Sequence, residues 1–324
     1  MVFFGKIKMT DTIVTILLHL DLSSIKSFGS IDKCFNYIIQ KIYLDQNFWK
    51  QKVEKLVNTD CHLVGIDWID VFGKIYNIGT GGHRDLEVVF IEAVKNGFVD
   101  VINVLVSVGY DPSHDQNVGI LLAIRNGHLA VVDLLLNDSR VDPSMRYNEA
   151  IREACKKGHL PIVNKLLQDQ RIDPSDKHNE AIRSASKNGH YHVVDMLLRD
   201  KRIDPADKNN ESIISASING HFFTVQRLLQ DTRVNPTVRN NKAFMKGCEK
   251  GHVEVVSLLL KDDRVNYTID RDRAIKIASL NGHFQVLVEL LRNHRIELAL
   301  YRQLRYIVRK DILDLLELAT NREI

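Results

Sequence analysis

The sequence predicts an all-α solenoid, because three markers recur along it in one phase. The first is a Gly-His pair repeated every 31 residues, the second is an Asp-Pro or Asn-Pro turn, and the third is an Asn ten residues before most of the glycines. Self-similarity at a period of about 20–50 residues is typical of stacked repeats that bury their apolar faces against one another. About seven units are expected, from roughly 85 to 296. The Gly-His pairs are Gly127-His128, Gly158-His159, Gly189-His190, Gly220-His221, Gly251-His252 and Gly282-His283.

The first half of each unit predicts a short helix with one buried face. In one unit Asn148 precedes the helical stretch and Gly158 ends it, with Ala150, Ile151 and Ala154 forming one apolar stripe. An Asn oxygen is expected to accept free N–H groups of the first turn. A Gly is expected to close the last turn in the left-handed conformation.

The second half predicts another helix, which begins just after His159. Ile162, Val163, Leu166 and Leu167 give it a double apolar stripe, so it should pack on both neighbouring units. A polar turn then leads to the next Asn. The architecture is therefore helix, tight turn, helix and exposed turn, repeated.

This unit resembles the ankyrin repeat in its Ala-x-x-x-Gly-His-x-x-Val-Val-x-x-Leu-Leu core and in the Asp-Pro turn that follows. It departs from that family in three ways. Thr-Pro-Leu-His at the first helix start is replaced by Asn-Glu-Ala-Ile and variants, the Gly after the second helix is replaced by Asp-x-Arg, and the period is 31 residues instead of 33. The resemblance therefore implies short fingers with a poorly developed β-hairpin.

The repeated histidines and Asp-x-Arg pairs are interpreted as structural. Equivalent side chains in stacked helices lie about 10 Å apart, whereas zinc binds histidine nitrogens at about 2.0–2.1 Å. A metal ladder is therefore excluded, and neither a metal site nor a cofactor is expected. Residues that do not vary between repeats are expected to serve the fold, since a partner is rarely periodic.

Residues 1–51 do not repeat and predict three short amphipathic helices. The apolar residues fall in a pattern formed by Ile13, Ile16-Leu17, Leu20, Ile25, Phe28, Cys34-Phe35 and Phe48-Trp49. This pattern resembles an F-box, the module that docks on the Skp-type adaptor of a cullin–RING ubiquitin ligase. The alternative is a helical N-terminal cap for the solenoid. The residues expected to contact the adaptor are Ile13, Leu17, Leu20, Ile25, Phe28, Phe35 and Trp49.

Two further segments flank the repeats. Residues 52–84 are expected to form a helical connector or N-terminal cap, and residues 297–324 a C-terminal helical cap, since solenoid ends need a polar cover. The pairing of an F-box with ankyrin repeats resembles proteins of giant DNA viruses of amoebae, with poxvirus proteins as more distant relatives. For such a protein the host cytoplasm is the expected location.

Composition excludes several other classes of function. The net charge is +3, which argues against nucleic acid as a partner, and no apolar run approaches the length of a membrane span. The four cysteines are widely separated along the chain, and we interpret them as reduced thiols. No catalytic constellation stands out from the repeat pattern, so an enzyme is the least expected reading.

The sequence thus favours a substrate-recognition subunit of a ubiquitin ligase that holds its target on the repeats. The alternative is a non-catalytic scaffold or decoy that sequesters a host protein without ubiquitin transfer. Cations at the exposed turns and before the glycines are expected to form a basic strip, whose target would carry an acidic segment; the competing interpretation is that they are merely solvated. These cations are Arg125, Arg146, Lys156, Lys177, Lys187, Lys208 and Arg239.

Overall fold

A computed structural model describes residues 50, 51, 53, 86–265, 270–292, 302–306 and 308–320. The chain divides into two compact parts, Met1–Pro143 and Ser144–Ile324, each described by itself below. The described residues are helices and turns with no strand, in agreement with the all-α prediction. The F-box-like segment up to Trp49 and most of the connector at 52–84 lie outside the described residues.

The first part contains two helix pairs. Repeat 1 consists of α1 and α2, and repeat 2 of α3 and α4. Their bounds are Leu86–Asn96 (α1), Val99–Ser107 (α2), His114–Asn126 (α3) and Leu129–Leu136 (α4).

The second part contains five helix pairs, repeats 3 to 7, followed by α15. The first helices of these repeats are Met145–Lys157 (α5), Asp176–Lys187 (α7), Asp207–Ile218 (α9), Val238–Lys250 (α11) and Arg271–Leu280 (α13). The second helices are Leu160–Leu167 (α6), Tyr191–Leu198 (α8), Phe222–Leu229 (α10), Val253–Leu260 (α12) and Phe284–Leu291 (α14), and α15 is Lys310–Thr320.

Like helices pack on like within this second part. Each first helix contacts the first helix of the next repeat, each second helix does the same, and α15 contacts α14. The predicted apolar stripes form the core: Ala150, Ile151 and Ala154 of α5 are buried, as are Ile162 and Val163 of α6. Full burial of a Val or Ile contributes about 1.5–3 kcal/mol, so the stacking interfaces supply most of the stability.

The glycines of the Gly-His pairs end the first helices in the predicted way. Gly158 has φ +77°, and the N–H of the next residue, His159, donates to the carbonyl of Ala154 at 3.1 Å. This pattern closes a helix C-terminus and suits Gly because a Cβ is disfavoured at positive φ. The left-handed helix end is therefore confirmed.

The exposed turns differ from the prediction. Three successive residues at the start of the first helix in repeats 2 to 6 have positive φ, as in Arg146 (54°), Tyr147 (59°) and Asn148 (56°), so the right-handed part of α5 begins at Glu149. A left-handed residue other than Gly costs roughly 1–2 kcal/mol, and Asn is one of the few residues that visits this region routinely. The same geometry occurs in the triplets 115–117, 177–179, 208–210 and 239–241.

The prediction that Asn caps the first helix is wrong. Asn179 instead links two repeats: its Oδ1 accepts from the N–H of Asp204 at 2.8 Å, and its Nδ2 donates to Oδ2 of Asp207 at 2.9 Å. Its side chain is buried, so these bonds stand where water cannot replace them. The Asn of each repeat thus holds the turn of the next one, as Asn148 also does with Asp173.

Candidate functional site

The repeated histidines cap helices of neighbouring repeats. Nε2 of His221 lies 2.9 Å from the carbonyl oxygen of Lys187 in the last turn of α7. Since a carbonyl only accepts, Nε2 must carry the proton and donate. The last carbonyls of a helix lack partners within it, and the imidazole supplies one. Equivalent bonds join His190 to Lys156, His252 to Ile218 and His283 to Glu249.

The Asp-x-Arg pairs cap the second helices in the same manner. Nη1 of Arg233 donates to the carbonyl of Ile203 at 2.8 Å, and its Nη2 donates to the carbonyl of Leu198, the last residue of α8, at 3.1 Å. Asp231 holds the guanidinium in place through bonds of 2.9 and 2.7 Å. These hydrogen bonds cap the C-terminus of the second helix, at the place where Asp-x-Arg replaces a Gly. A cation at a helix C-terminus is also favoured by the helix dipole.

The pKa shifts of these groups have structural causes, namely hydrogen bonds between side chains and burial. The hydrogen bond from Arg233 holds the pKa of Asp231 below its ordinary value, and the same cause lowers the pKa of Asp200 through Arg202. Burial raises the pKa of the thiol of Cys155, which disfavours the reactive thiolate. No group of three or more His, Cys, Asp or Glu residues suited to a metal ion occurs among the described residues.

The seven predicted surface cations are all exposed. They fall into two sets at opposite ends of the first helices. The turn row starts the left-handed triplets of repeats 3 to 6 and consists of Arg146, Lys177, Lys208 and Arg239. The helix-end row precedes the glycines and consists of Lys156 and Lys187, with Arg125 at the equivalent place in the first part.

These two rows do not form the single strip that the sequence suggested. In α7 the right-handed segment from Glu180 to Lys187 lies between Lys177 and Lys187, which at 1.5 Å per residue is roughly 10 Å. A strip that used both rows would have to run along the helices and not across them. The correction follows from the antiparallel hairpin, which places the Gly-His turn and the exposed turn at opposite ends.

Two of the four turn-row cations lie near carboxylates and a third lies over an aromatic ring. Arg146 lies 3.7 Å from Glu149, and Arg239 lies 3.8 Å from Glu211. The ammonium of Lys177 sits 3.6 Å from the ring centroid of Tyr147, which is cation–π geometry. Individual pairs at this exposure contribute little, so this row offers partners hydrogen bonds and an aromatic ring more than a strong positive field.

Comparison with known families identifies the fold. The family model described as ankyrin repeats (3 copies) matches residues 90–178, 120–211 and 213–300, which together are more than half of the chain. The chain belongs to the ankyrin-repeat family. No match was found among curated proteins.

Ankyrin repeats serve protein–protein interaction, so the side chains of functional interest are the exposed ones that vary between repeats. Besides the two rows, the ankyrin stack exposes aromatic rings that the sequence reasoning missed. Phe223, at the start of α10, has 64% of its surface exposed. The available signal was Phe223, whose equivalents in the other repeats are smaller or more polar residues.

Among the described residues no helix has the length and apolar character needed to cross a membrane.

Proposed function

We propose that this ankyrin-repeat protein is the target-recognition subunit of a cullin–RING ubiquitin ligase, acting in the cytoplasm. Target binding is supported by the separation, within each repeat, of residues that hold the fold from residues that vary on the surface. Invariant Asn, His and Arg residues bond to neighbouring repeats, while the exposed residues at the turns change from one repeat to the next. Such a scaffold presents variable side chains on a fixed backbone, which lowers the entropy cost of binding.

The turn row is the proposed target surface. Arg146, Lys177, Lys208 and Arg239 sit at equivalent places on four successive repeats, each at the tip of its left-handed triplet. Like helices of these repeats pack on each other, so the four side chains are held at repeating intervals. A segment of the target that crosses the repeats would meet them in succession.

The ligase half is supported by the resemblance of residues 9–51 to an F-box. In this proposal Leu17, Leu20, Ile25 and Phe28 contact a Skp-type adaptor. The test is binding of the purified adaptor to the full chain and to Leu20→Asp. Burial of a Leu contributes about 1.5–3 kcal/mol, so the variant should lose more than tenfold in affinity. If the intact chain does not bind the adaptor, the proposed function is that of a decoy and not of a ligase subunit.

The target half is tested by charge reversal at the turn row. Captured targets should associate more slowly with Arg146→Glu/Lys177→Glu/Lys208→Glu, and with weaker salt dependence, because complementary charges act mainly on the association rate. The matched control reverses the exposed Lys250, Lys276 and Lys310, which alters the net charge equally at residues outside the turn row. Equal effects of both triple variants, or no effect of the first, would mean that the turn row is solvated and does not bind the target.

A further inference from the structure

A cluster of aromatic rings, exposed except for the half-buried Phe222, lies at the Gly-His end of repeats 4 and 5. The cluster, called the aromatic patch, consists of Tyr191 and His192 at the start of α8 and Phe222 and Phe223 at the start of α10. The ring centroids of Tyr191 and Phe223 are 5.9 Å apart across the repeat boundary, and those of Phe222 and Phe223 are 5.3 Å apart, edge to face. The ring centroids of Tyr191 and His192 are 4.0 Å apart, with the ring planes tilted by 39°. The rings therefore form one continuous surface over two repeats.

The fold does not require these rings. The residue two places after the His is Phe223 in repeat 5, and its equivalents in the other repeats include Ala, Pro, His, Glu and Gln, although the flanking Gly-His and the buried apolar pair hardly change. Phe223 keeps 64% of its surface exposed, so it contributes little to the core. An exposed Phe at a place where Gln serves the fold equally well points to a partner. The equivalents are Ala130, Pro161, His192, Glu254 and Gln285.

The surroundings of the aromatic patch are positively charged. Lys187 ends α7 four residues before Tyr191, and α5, which packs on α7, ends in Lys156 and Lys157. All three lysines are exposed, and one nearby carboxylate, Glu153, lies 3.2 Å from Lys156. One turn into α8, Asp195 is shared between Arg199 at 2.5 Å and Arg227 at 2.6 Å. These five cations outnumber the carboxylates Glu153, Asp195 and, at the start of the second helix of the next repeat, Glu254.

We infer that the aromatic patch is a docking site for a short protein segment in which apolar side chains alternate with carboxylates. The rings supply apolar contact area at low entropy cost, as aromatic anchors do at interfaces. Lys156, Lys157 and Lys187 supply the complementary charge. This site goes beyond the proposed function, because it lies at the other end of the first helices from the turn row.

A protein segment fits better than a single-stranded nucleic acid. Nucleic-acid bases stack on open ring faces, whereas the rings here are engaged with one another edge to face or tilted.

The test is selection of a random 12-residue phage-displayed peptide library against the full chain, with removal of phage that also bind the Phe223→Gln variant. Gln is the natural residue at the equivalent place in repeat 7, so this variant should fold normally. Enriched peptides are expected to combine Leu, Ile, Phe or Trp with Asp and Glu. The matched control is Tyr147→Gln, which removes an equally exposed ring (64%) from the turn row.

Synthetic versions of the enriched peptides then decide the outcome by fluorescence anisotropy. Phe223→Gln should weaken binding more than tenfold, Lys187→Glu should weaken it and reduce its salt dependence, and Tyr147→Gln should leave it unchanged. The inference is overturned if no peptide depends on Phe223, if the enriched peptides lack acidic residues, or if a twelve-nucleotide oligo-dT binds the patch more tightly than they do.

Discussion

His221 lies with its imidazole against Gly189 of the preceding repeat, so closely that a Cβ on Gly189 would come within 2.5 Å of Nδ1. The same contact joins His190 to Gly158 and His252 to Gly220. Gly is therefore needed twice at this position, once for its φ of +76° and once for the space that the neighbouring ring fills. The Gly and His of one pair thus act in different interfaces, because the Gly receives the His of the next repeat.

Gly189→Ala and Gly282→Ala separate these two requirements. Gly282 has φ +74°, but no atom of a described residue lies within 4 Å of a Cβ built there. Ala at Gly282 should lower the free energy of unfolding by about 1 kcal/mol for its left-handed backbone alone. Ala at Gly189 should cost at least twice as much, because His221 must also move. Urea denaturation of both variants measures the difference.

The double variant Gly189→Ala/His221→Ala is the control for that difference. Removing the ring should restore space for the methyl group, so the double variant should lose less than the sum of the two single losses. Strict additivity would show that the ring contact does not set the cost at Gly189.

The sequence was sufficient to predict whatever depends on local periodicity. The stripe of Ala150, Ile151 and Ala154 follows from helix geometry, and the left-handed Gly158 follows from the chemistry of helix ends. The role of Asn179 could not be predicted in this way, since its partners, Asp204 and Asp207, stand 25 and 28 residues further along the chain. An Asn that caps its own helix and an Asn that bonds to the next repeat cannot be told apart in the sequence.

The surface was predicted less well than the core. Lys177 and Lys187 were correctly expected to be exposed, and the sequence placed them before the first helix and at its end, but joining them into one strip overlooked the length of the helix between them. Phe223 escaped notice because apolar residues near a helix start are usually counted as core. Its exposure depends on how the second helices are turned, which is a property of the packed stack.

Asn179→Gly and Asn179→Ala should divide the two contributions of this residue. Gly keeps the left-handed backbone, where φ is 55°, but loses both side-chain bonds to the next repeat. It leaves the N–H of Asp204 without its acceptor, which should cost about 1–3 kcal/mol. Ala adds the strain of a left-handed Cβ, so it should be the less stable of the two in thermal denaturation. Equal stability of the two variants would mean that conformation contributes nothing at this site.

Ser212→Ala should stabilise the protein by about 1 kcal/mol. Ser212 is fully buried and its hydroxyl has no hydrogen-bond partner, which carries a desolvation penalty. The equivalent residue is Ala in repeats 3, 4, 6 and 7 (Ala150, Ala181, Ala243 and Ala274), so the site accepts a methyl group. The control is Ser215→Ala on the same helix, whose hydroxyl donates to Glu211 at 3.0 Å. A melting temperature that falls for Ser212→Ala would contradict the interpretation that the hydroxyl of Ser212 is buried without a hydrogen-bond partner.

Gly247→Ala should also stabilise, by roughly 0.5–1 kcal/mol, because Gly is unfavourable inside a helix. A Cβ here would lie 3.2 Å from Cγ2 of Val256, which requires a small adjustment of that methyl. The equivalent pairs Ala185 with Val194 and Ala216 with Val225 show the same combination buried in other repeats. A lower melting temperature would mean that repeat 6 packs too closely for a methyl group at this place.

The Asp-x-Arg caps should make stability depend on pH in the acid range. The pKa of Asp231 is held below its ordinary value of 3.8 by the hydrogen bond from Arg233. A carboxyl with a lowered folded pKa contributes stability that is present above its unfolded pKa and lost as pH falls through the folded one. The contribution of each cap should therefore be constant above about pH 5, begin to fall near the unfolded pKa of about 4, and be lost only when the pH passes below the lowered folded pKa.

Asp231→Asn and Arg233→Gln test this dependence in both partners. Each variant should be less stable than the parent at pH 7 by about 1 kcal/mol, a modest figure because the guanidinium is 40% exposed. Each should also lose less stability on acidification, so that its curve approaches that of the parent near pH 2–3. Arg199→Ala, which removes a guanidinium that is 74% exposed, serves as the control and should cost little. If Arg233→Gln keeps the acid dependence of the parent, the lowered pKa of Asp231 does not come from Arg233, and the cap contributes only through its bonds to the carbonyls of Ile203 and Leu198.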